Sequence, residues 1–130
     1  MTNAELIQIS IDSQRLSYSP YSKFKVGAAL LTVDNIIYTG ANIENAAYPV
    51  TICAERTAFI KAILDEQTKF VKIAITASSN EFCFPCGSCR QFMNEFTDEK
   101  FEIIVFDGKT INSIKLTKLL PHSFGKSNLL

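Results

Sequence analysis

The chain has no excess of charge of either sign, since its 130 residues include 13 Lys and Arg and 13 Asp and Glu. A protein that holds a phosphate backbone usually carries a basic excess, so this balance counts against a nucleic-acid substrate. Long apolar runs are also missing, because no stretch approaches the roughly 20 residues that a membrane-spanning helix requires. We therefore expect neither nucleic acid nor a membrane as a partner.

Linkers, charge blocks and internal repeats are missing as well. No Gly/Ser-rich stretch divides the sequence, which favours one domain over residues 1–130. Ten Phe and four Tyr supply enough apolar bulk for a core without disulfides. The first residues carry Glu5 and no basic region ahead of an apolar segment, which is not typical of a signal peptide. We therefore expect a cytoplasmic location.

The hydrophobic pattern predicts helices alternating with strands. Helices are expected over residues 3–17 with Asn3 as the N-cap, over 52–65 with Thr51 as the cap, and over 87–96. Strands are expected over 26–32, 36–43, 70–77, 103–106 and 109–114, with a hairpin turn at 34–35. Residues 3–17 are ambiguous, because their isoleucines also alternate as in a strand. This order predicts a sheet covered on its faces by helices, an α/β sandwich.

Three of the four cysteines, Cys83, Cys86 and Cys89, fall within seven residues, and the fourth is Cys53. In a reducing compartment this clustering favours a metal site or redox chemistry over disulfides. The segments T-I-C-A-E-R (51–56) and F-P-C-G-S-C-R (84–90) each place a cysteine at the start of a predicted helix. A helix N-terminus stabilises the thiolate, which is the form that binds metal.

The spacing of these residues indicates a catalytic metal site. Cys86 and Cys89 are three residues apart and share one face of a helical turn. With Cys53 they supply three thiolates and leave one position open, as in catalytic zinc sites. Glu55 lies two residues after Cys53, where a carboxylate can take a proton from an activated water and pass it on.

A structural zinc site is the alternative, because C-F-P-C (83–86) is also a CxxC motif. All four cysteines could then close the site. Two observations count against it: Cys53 has no CxxC partner of its own, and a structural site has no use for Glu55. We expect Cys83 to be a buried thiol.

The motifs C-A-E (53–55) and P-C-G-S-C-R (85–90) resemble those of the zinc-dependent cytidine deaminases, in the all-cysteine form of the small homotetrameric enzymes. Three more segments are similar to the family: F-K-V-G-A-A (24–29), N-I-E-N-A-A-Y-P (42–49) and L-L-P-H-S-F-G (119–125). The resemblance covers essentially the whole chain. It implies a three-layer α/β/α sandwich with a mixed five-stranded sheet.

The resemblance also implies a role for each matching residue. Zinc would be bound by Cys53, Cys86 and Cys89, and Glu55 would be the proton shuttle. Asn42 and Glu44 would hydrogen-bond the ribose hydroxyls, Phe24 would contact the ring or sugar, and the backbone around Ala54 and Cys86 would meet the pyrimidine edge. Tyr48 and Phe124 would complete a neighbouring subunit's pocket in a homotetramer, and Arg56 would lie near the thiolates.

The implied reaction is hydrolytic deamination of cytidine and 2'-deoxycytidine, with zinc as the cofactor and a free nucleoside as the substrate. Glu44 favours a free nucleoside, because a carboxylate against the sugar hydroxyls would repel a phosphate placed there. A deaminase for a cytosine-containing antibiotic or for polynucleotide cytosine is the alternative on the same fold. The only histidine, His122, is expected at a surface or interface and not at the metal.

Overall fold

The structure is a computed structural model that describes residues 1–130. Its strands are β1 (Val26–Thr32), β2 (Ile37–Ala41), β3 (Phe70–Ala77), β4 (Glu102–Phe106) and β5 (Ile111–Lys115). Its helices are α1 (Asn3–Ser13), α2 (Ala54–Leu64), α3 (Gly87–Phe96) and the short α4 (Leu116–Leu119). The predicted order of helix, hairpin, helix, strand, helix and hairpin is confirmed, whereas α4 was not predicted. No helix has the length and hydrophobicity that crossing a bilayer requires.

The five strands form one mixed sheet in the order β2-β1-β3-β4-β5. Strands β3 and β4 pair in parallel, with Ile75 opposite Val105, and every other neighbouring pair is antiparallel. Parallel neighbours need a crossover connection, and α3 lies in the one between β3 and β4. The mixed five-stranded sheet is therefore confirmed.

Helices cover both faces of this sheet. Along β1, Ala28 and Leu30 point into the cluster that contains α2 and α3, whereas Ala29 and Leu31 point into the cluster that contains α1. Because successive strand residues point to opposite faces, this alternation makes three layers. Phe59 of α2 is fully buried at the centre of the larger cluster. The α/β/α sandwich is confirmed.

Both predicted N-caps are wrong. The N-cap of α1 is Thr2, whose Oγ1 accepts a hydrogen bond from the backbone N–H of Glu5 at 3.1 Å. Asn3 lies inside the helix, and its Oδ1 accepts from Nζ of Lys72. The N-cap of α2 is Cys53, because Thr51 lies in the preceding loop and its hydroxyl accepts from the backbone of Asn45.

Some predicted boundaries also shift. Helix α1 ends at Ser13 and continues as a 3-10 turn over Gln14–Leu16, where the prediction had one helix to residue 17. Strand β2 ends at Ala41, although Ile43 still forms isolated bridges with Tyr18 and Ile52. These bridges hold the segment after β2 beside the start of α2.

Gly40 allows β2 to approach α2 closely. A Cβ atom at Gly40 would lie 2.2 Å from the carbonyl oxygen of Ala54 and 2.5 Å from Oγ1 of Thr57. The Thr57 hydroxyl also bonds to the backbone of Ala41, accepting from its N–H at 3.1 Å. The missing side chain therefore lets the sheet fix the position of the first turn of α2.

Candidate active site

Three cysteines meet where the N-termini of α2 and α3 come together. Cys53 is the N-cap of α2, Cys86 is the N-cap of α3, and Cys89 lies in the first turn of α3. Their Sγ atoms all lie within 4.8 Å of one another. The structure therefore brings together the three predicted metal ligands at two positive helix ends.

The three thiols form a donor set that suits a soft or borderline cation. The pKa of Cys53 is lowered, first by a hydrogen bond from the thiol of Cys89 and then by Arg56, and the pKa of Cys89 is raised by the same pairing. Sulfurs this close do not both ionise easily without a cation between them. Zinc is such a cation and is commonly bound by thiolates.

Arg56 lies beside this group, as predicted. Its Nη2 is 3.7 Å from Sγ of Cys53 and 3.3 Å from the carbonyl oxygen of Thr51. Its Nε is buried and has no hydrogen-bond partner. A guanidinium held here places a fixed positive charge next to the sulfur atoms, which favours their anionic form.

Cys83 is not a member of the cysteine group. The prediction of a buried thiol is wrong, because Cys83 is only partly buried. It lines the neighbouring cavity. Burial raises the pKa of its thiol to about 11. The Sγ atoms of the other three cysteines lie within 4.8 Å of one another and that of Cys83 does not join them, so the geometry favours the three-cysteine arrangement over the closed four-cysteine site.

Glu55 lies in the first turn of α2 and is only 4% exposed. Burial raises the pKa of its carboxyl to about 7, and the negative charge of Cys53 adds to this effect. A carboxyl that titrates near neutral pH can both accept and donate a proton. Its position and its protonation behaviour both suit the predicted proton shuttle.

A cavity of about 230 Å³ opens onto Glu55 and onto three cysteines, of which Cys53 and Cys86 belong to the cysteine group. Its lining residues are Phe24, Val26, Asn42, Thr51, Cys53, Glu55, Cys83, Phe84 and Cys86. Larger hollows of about 410 and 550 Å³ lie near Lys126, but they contain none of the cysteines. The smaller cavity is therefore the candidate site, because it joins apolar walls to groups that can do chemistry.

Asn42 is 8% exposed, and most of its amide is already bonded within the chain. Its Oδ1 accepts from the hydroxyl of Ser17 at 2.5 Å and from the N–H of Val26 at 3.0 Å. Its Nδ2 donates to the carbonyl oxygen of Phe24 at 2.8 Å. A primary amide has two N–H donors, so one N–H of Asn42 is left for a ligand.

Glu44 is bound in the same loop and is also 8% exposed. It accepts hydrogen bonds from the Ser22 hydroxyl and from the N–H groups of Tyr21 and Ser22. These donors, the hydroxyl first, lower the pKa of Glu44. The Glu44 carboxylate is not among the groups that line the cavity.

The other residues that were predicted to contact the substrate differ in how far they are buried. Ala54 is fully buried at the start of α2, next to the cysteine group. Tyr48 and Phe124 are 58% and 59% exposed, and neither lines the cavity of its own chain. The structure does not bring these two aromatic residues to the cavity within one chain.

Residues 1–105 match the family described as the cytidine and deoxycytidylate deaminase zinc-binding region. The chain belongs to the cytidine deaminase family. A cytidine deaminase of Sporosarcina psychrophila is 44% identical over 126 residues, which cover 96% of this chain and 93% of that protein. A cytidine deaminase of Halalkalibacterium halodurans is 43% identical, with 95% of each chain covered.

Solved cytidine deaminase structures share the fold. The crystal structure of the enzyme from Burkholderia pseudomallei has a TM-score of 0.91 and 36% identity, and the match covers 95% of this chain and all of the other. The enzyme from Mycobacterium tuberculosis has a TM-score of 0.86 and 30% identity, with 96% and 98% covered. This cytidine deaminase family member is therefore a zinc-dependent hydrolase, and its clustered cysteines fit the metal.

Two contributors to the site were not predicted from the sequence. Arg90 donates from Nε to the carbonyl oxygen of Pro85 at 2.7 Å and from Nη1 to the carbonyl oxygen of Leu119 at 2.9 Å, which ties the ligand loop to α4. The position of Arg90 directly after the predicted ligand Cys89 was the one sequence feature that could have indicated its contribution to the site. Phe84 lines the cavity, and its place two residues before Cys86 was the signal there.

Proposed function

We propose that the chain hydrolyses cytidine and 2'-deoxycytidine to uridine and 2'-deoxyuridine, releasing ammonia, in pyrimidine nucleoside salvage. This reaction breaks the C–N bond of a cyclic amidine. The observation that carries the proposal is the position of Glu55, which lies with Cys53 and Cys86 on one cavity large enough for a pyrimidine. The full-length similarity to proteins named cytidine deaminase supports it.

Cys53, Cys86 and Cys89 would hold zinc, which when bound polarises and acidifies a water molecule at its open position. Glu55 then accepts a proton from the attacking water and delivers it to N3 of the base. The water oxygen bonds to C4, and Glu55 takes the remaining proton from that oxygen and transfers it to the exocyclic amine. The C4–N bond then breaks, ammonia leaves and the C4 carbonyl of the product forms. A pKa near 7 lets one carboxyl serve both steps.

Arg56 and the two helix ends would support this chemistry through charge. Three thiolates on a divalent cation leave a net charge of about −1, which weakens the polarisation of the bound water. The guanidinium of Arg56 and the N-termini of α2 and α3 oppose that negative charge. We propose that Arg56 acts through the thiolates and not by contact with the substrate.

The sugar would be held at the Asn42 end of the cavity. The free N–H of Asn42 can donate to a ribose oxygen, and Glu44 can accept from a ribose hydroxyl. Phe24, 39% exposed on the cavity, offers an apolar face to the ring or sugar. The backbone around Ala54 and Cys86 would meet the edge of the pyrimidine.

We further propose a homotetramer with shared sites, in which Tyr48 and Phe124 complete the pocket of a neighbouring subunit. Their high exposure within one chain supports this role, because large aromatic residues are commonly covered at interfaces. A single domain over residues 1–130 is supported by the packing of α1, α2 and α3 on one sheet. A cytoplasmic location is supported by the free thiols of the site, which a reducing compartment preserves.

The direct test is the ultraviolet loss of cytidine on incubation with purified, zinc-loaded protein. We expect turnover of cytidine and deoxycytidine, and much slower turnover of cytidine 5'-phosphate and of single-stranded DNA. No turnover by protein that contains stoichiometric zinc would contradict the proposal. It would then favour a structural zinc module that acts in protein contacts.

A further inference from the structure

Phe84 forms an aromatic wall at the metal end of the active-site cavity. We propose that this ring is a specificity-determining residue, which limits the substituents that a cytosine can carry next to the carbon under attack. The inference rests on the proposed function, since it concerns which cytosine nucleosides the same site accepts.

The backbone on either side of Phe84 places its ring at the metal end. Only Pro85 separates Phe84 from the metal ligand Cys86. The Pro85 carbonyl accepts from Nε of Arg90 at 2.7 Å, and Arg90 is bonded in turn to Leu119 of α4. These bonds hold the backbone next to Phe84 in place, and the ring of Phe84 lines the cavity.

Core packing does not account for the position of Phe84. Its side chain is 39% exposed, whereas Phe59 and Phe101 of the core are essentially fully buried. Its one ring partner is Phe82, with centroids 6.1 Å apart, and Phe82 does not line the cavity. An aromatic ring that stays exposed on a small cavity is available to contact a ligand.

The two aromatic walls of the cavity come from different segments of the chain. Phe24 belongs to the sugar end, because its carbonyl accepts from Nδ2 of Asn42. The segments that carry the predicted zinc ligands, residues 51–56 and 83–90, contribute several residues to the cavity lining. Phe84 is the only large apolar residue among them, and the others include Thr51 and Cys83. Phe84 is therefore the apolar wall that we assign to a substituent near the reacting carbon.

The chemistry identifies which substituent this is. The reacting carbon C4 has two ring neighbours, N3 and C5, and N3 receives the proton from Glu55 in the proposed reaction. C5 is the neighbour that can carry an added group, and it too lies at the metal end. In a cavity of about 230 Å³, a 5-methyl group would compete with the Phe84 ring for space.

The test measures kcat/KM for cytidine and for 5-methylcytidine in the zinc-loaded parent and in Phe84→Ala. We expect the ratio of 5-methylcytidine to cytidine to rise about tenfold in Phe84→Ala, the effect of one carbon group in an apolar pocket. Its KM for cytidine should also rise, with kcat changed much less, because an apolar wall of the pocket is lost.

Phe82→Ala is the matched control, since Phe82 is 37% exposed, pairs with the same ring and lies off the cavity. It should leave the substrate ratio unchanged. Phe84→Leu, which keeps an apolar side chain of intermediate bulk, should give an intermediate ratio. It also carries the test if Phe84→Ala does not retain zinc.

An unchanged ratio in the zinc-loaded Phe84 variants would overturn the inference, and so would an equal rise in Phe82→Ala. A parent protein that cannot deaminate cytidine gives a different result. That result would overturn the proposed function itself, and with it any role of Phe84 in substrate choice.

Discussion

Arg56 and Cys53 lie three residues apart at the start of α2, and Nη2 of the guanidinium is 3.7 Å from the sulfur. The contact puts a permanent cation against an atom that must be anionic to bind metal. Arg56 is partly buried, and its Nε is buried without a hydrogen-bond partner. The charge of the metal site is thus set in part by a residue that binds neither metal nor substrate.

Arg56→Gln should shift the acidic limb of the kcat/KM profile to higher pH. In the parent protein the charge of Arg56 lowers the pKa of Glu55, so its removal raises that pKa. A group with a raised pKa loses its proton only at higher pH. The acidic limb of the profile therefore shifts to higher pH. Arg15→Gln, at an exposed position away from the site, is the control. Superimposable profiles for parent and Arg56→Gln would reject the role in charge.

Glu55→Gln should retain zinc and lose between about 10²- and 10⁴-fold in turnover, the usual range for general acid–base catalysis. The substitution keeps the shape of a side chain that is 4% exposed and removes its ability to exchange a proton. Metal analysis and cytidine turnover on the same sample check both parts. Full activity in this variant would remove Glu55 from the mechanism.

Variants of Cys53 and of Cys83 should differ in how much zinc they retain. Cys53→Ala removes one of three sulfurs that lie within 4.8 Å of one another, so zinc should be lost on dialysis. Cys83→Ala removes a partly buried thiol outside that group, so zinc should stay stoichiometric. Zinc loss from Cys83→Ala would instead indicate a closed four-cysteine site.

The local pattern predicted most of the secondary structure, and it singled out the three cysteines that the structure brings together. Residues 26–32, 70–77 and 87–96 form elements with the predicted bounds, because strands and amphipathic helices follow from local periodicity. The cysteines could be grouped because two of them share a helical turn and the third begins the other motif. The N-cap assignments to Asn3 and Thr51 failed, because several adjacent polar residues can cap and tertiary contacts decide among them.

Features that depend on contacts distant in sequence could not be predicted. The bond between Arg90 and Leu119 joins residues 29 apart, and no local pattern reports it. The same is true of Asn42, whose amide is largely occupied by Ser17, Val26 and Phe24 before any ligand is present. The family resemblance supplied the expected role of Asn42, whereas the structure supplies the number of donors left to perform it.

Gly40→Ala should destabilise the protein by ~1–3 kcal/mol or more, as overpacking does in tight interiors. Its new Cβ would lie 2.2 Å from a backbone oxygen at the start of α2, so β2 and α2 would have to separate. Gly87→Ala is the control, because its Cβ would meet nothing within 4 Å. There stability should be unchanged or higher by up to about 1 kcal/mol. Equal urea midpoints for Gly40→Ala and the parent would contradict the close approach.

Ser22→Ala should weaken the protein at neutral pH and have a smaller effect in acid. The Ser22 hydroxyl is the first cause that lowers the pKa of Glu44 in the folded state. A carboxyl with a lowered folded pKa stabilises the fold above its unfolded pKa, and that contribution is lost as the pH falls through the folded value. Urea unfolding from neutral pH to below the usual range of glutamate tests this. Ser79→Ala, at an exposed position, is the control, and a difference that stays constant with pH would contradict the link to Glu44.

The central claim is that three protein sulfurs hold zinc and leave its fourth position to water beside Glu55. X-ray absorption at the zinc edge of the purified holoprotein tests it most directly. Three sulfur neighbours at about 2.3 Å and one oxygen or nitrogen neighbour at about 2.0 Å are the expected result. Four sulfur neighbours would mean that Cys83 closes the site, which would contradict the account.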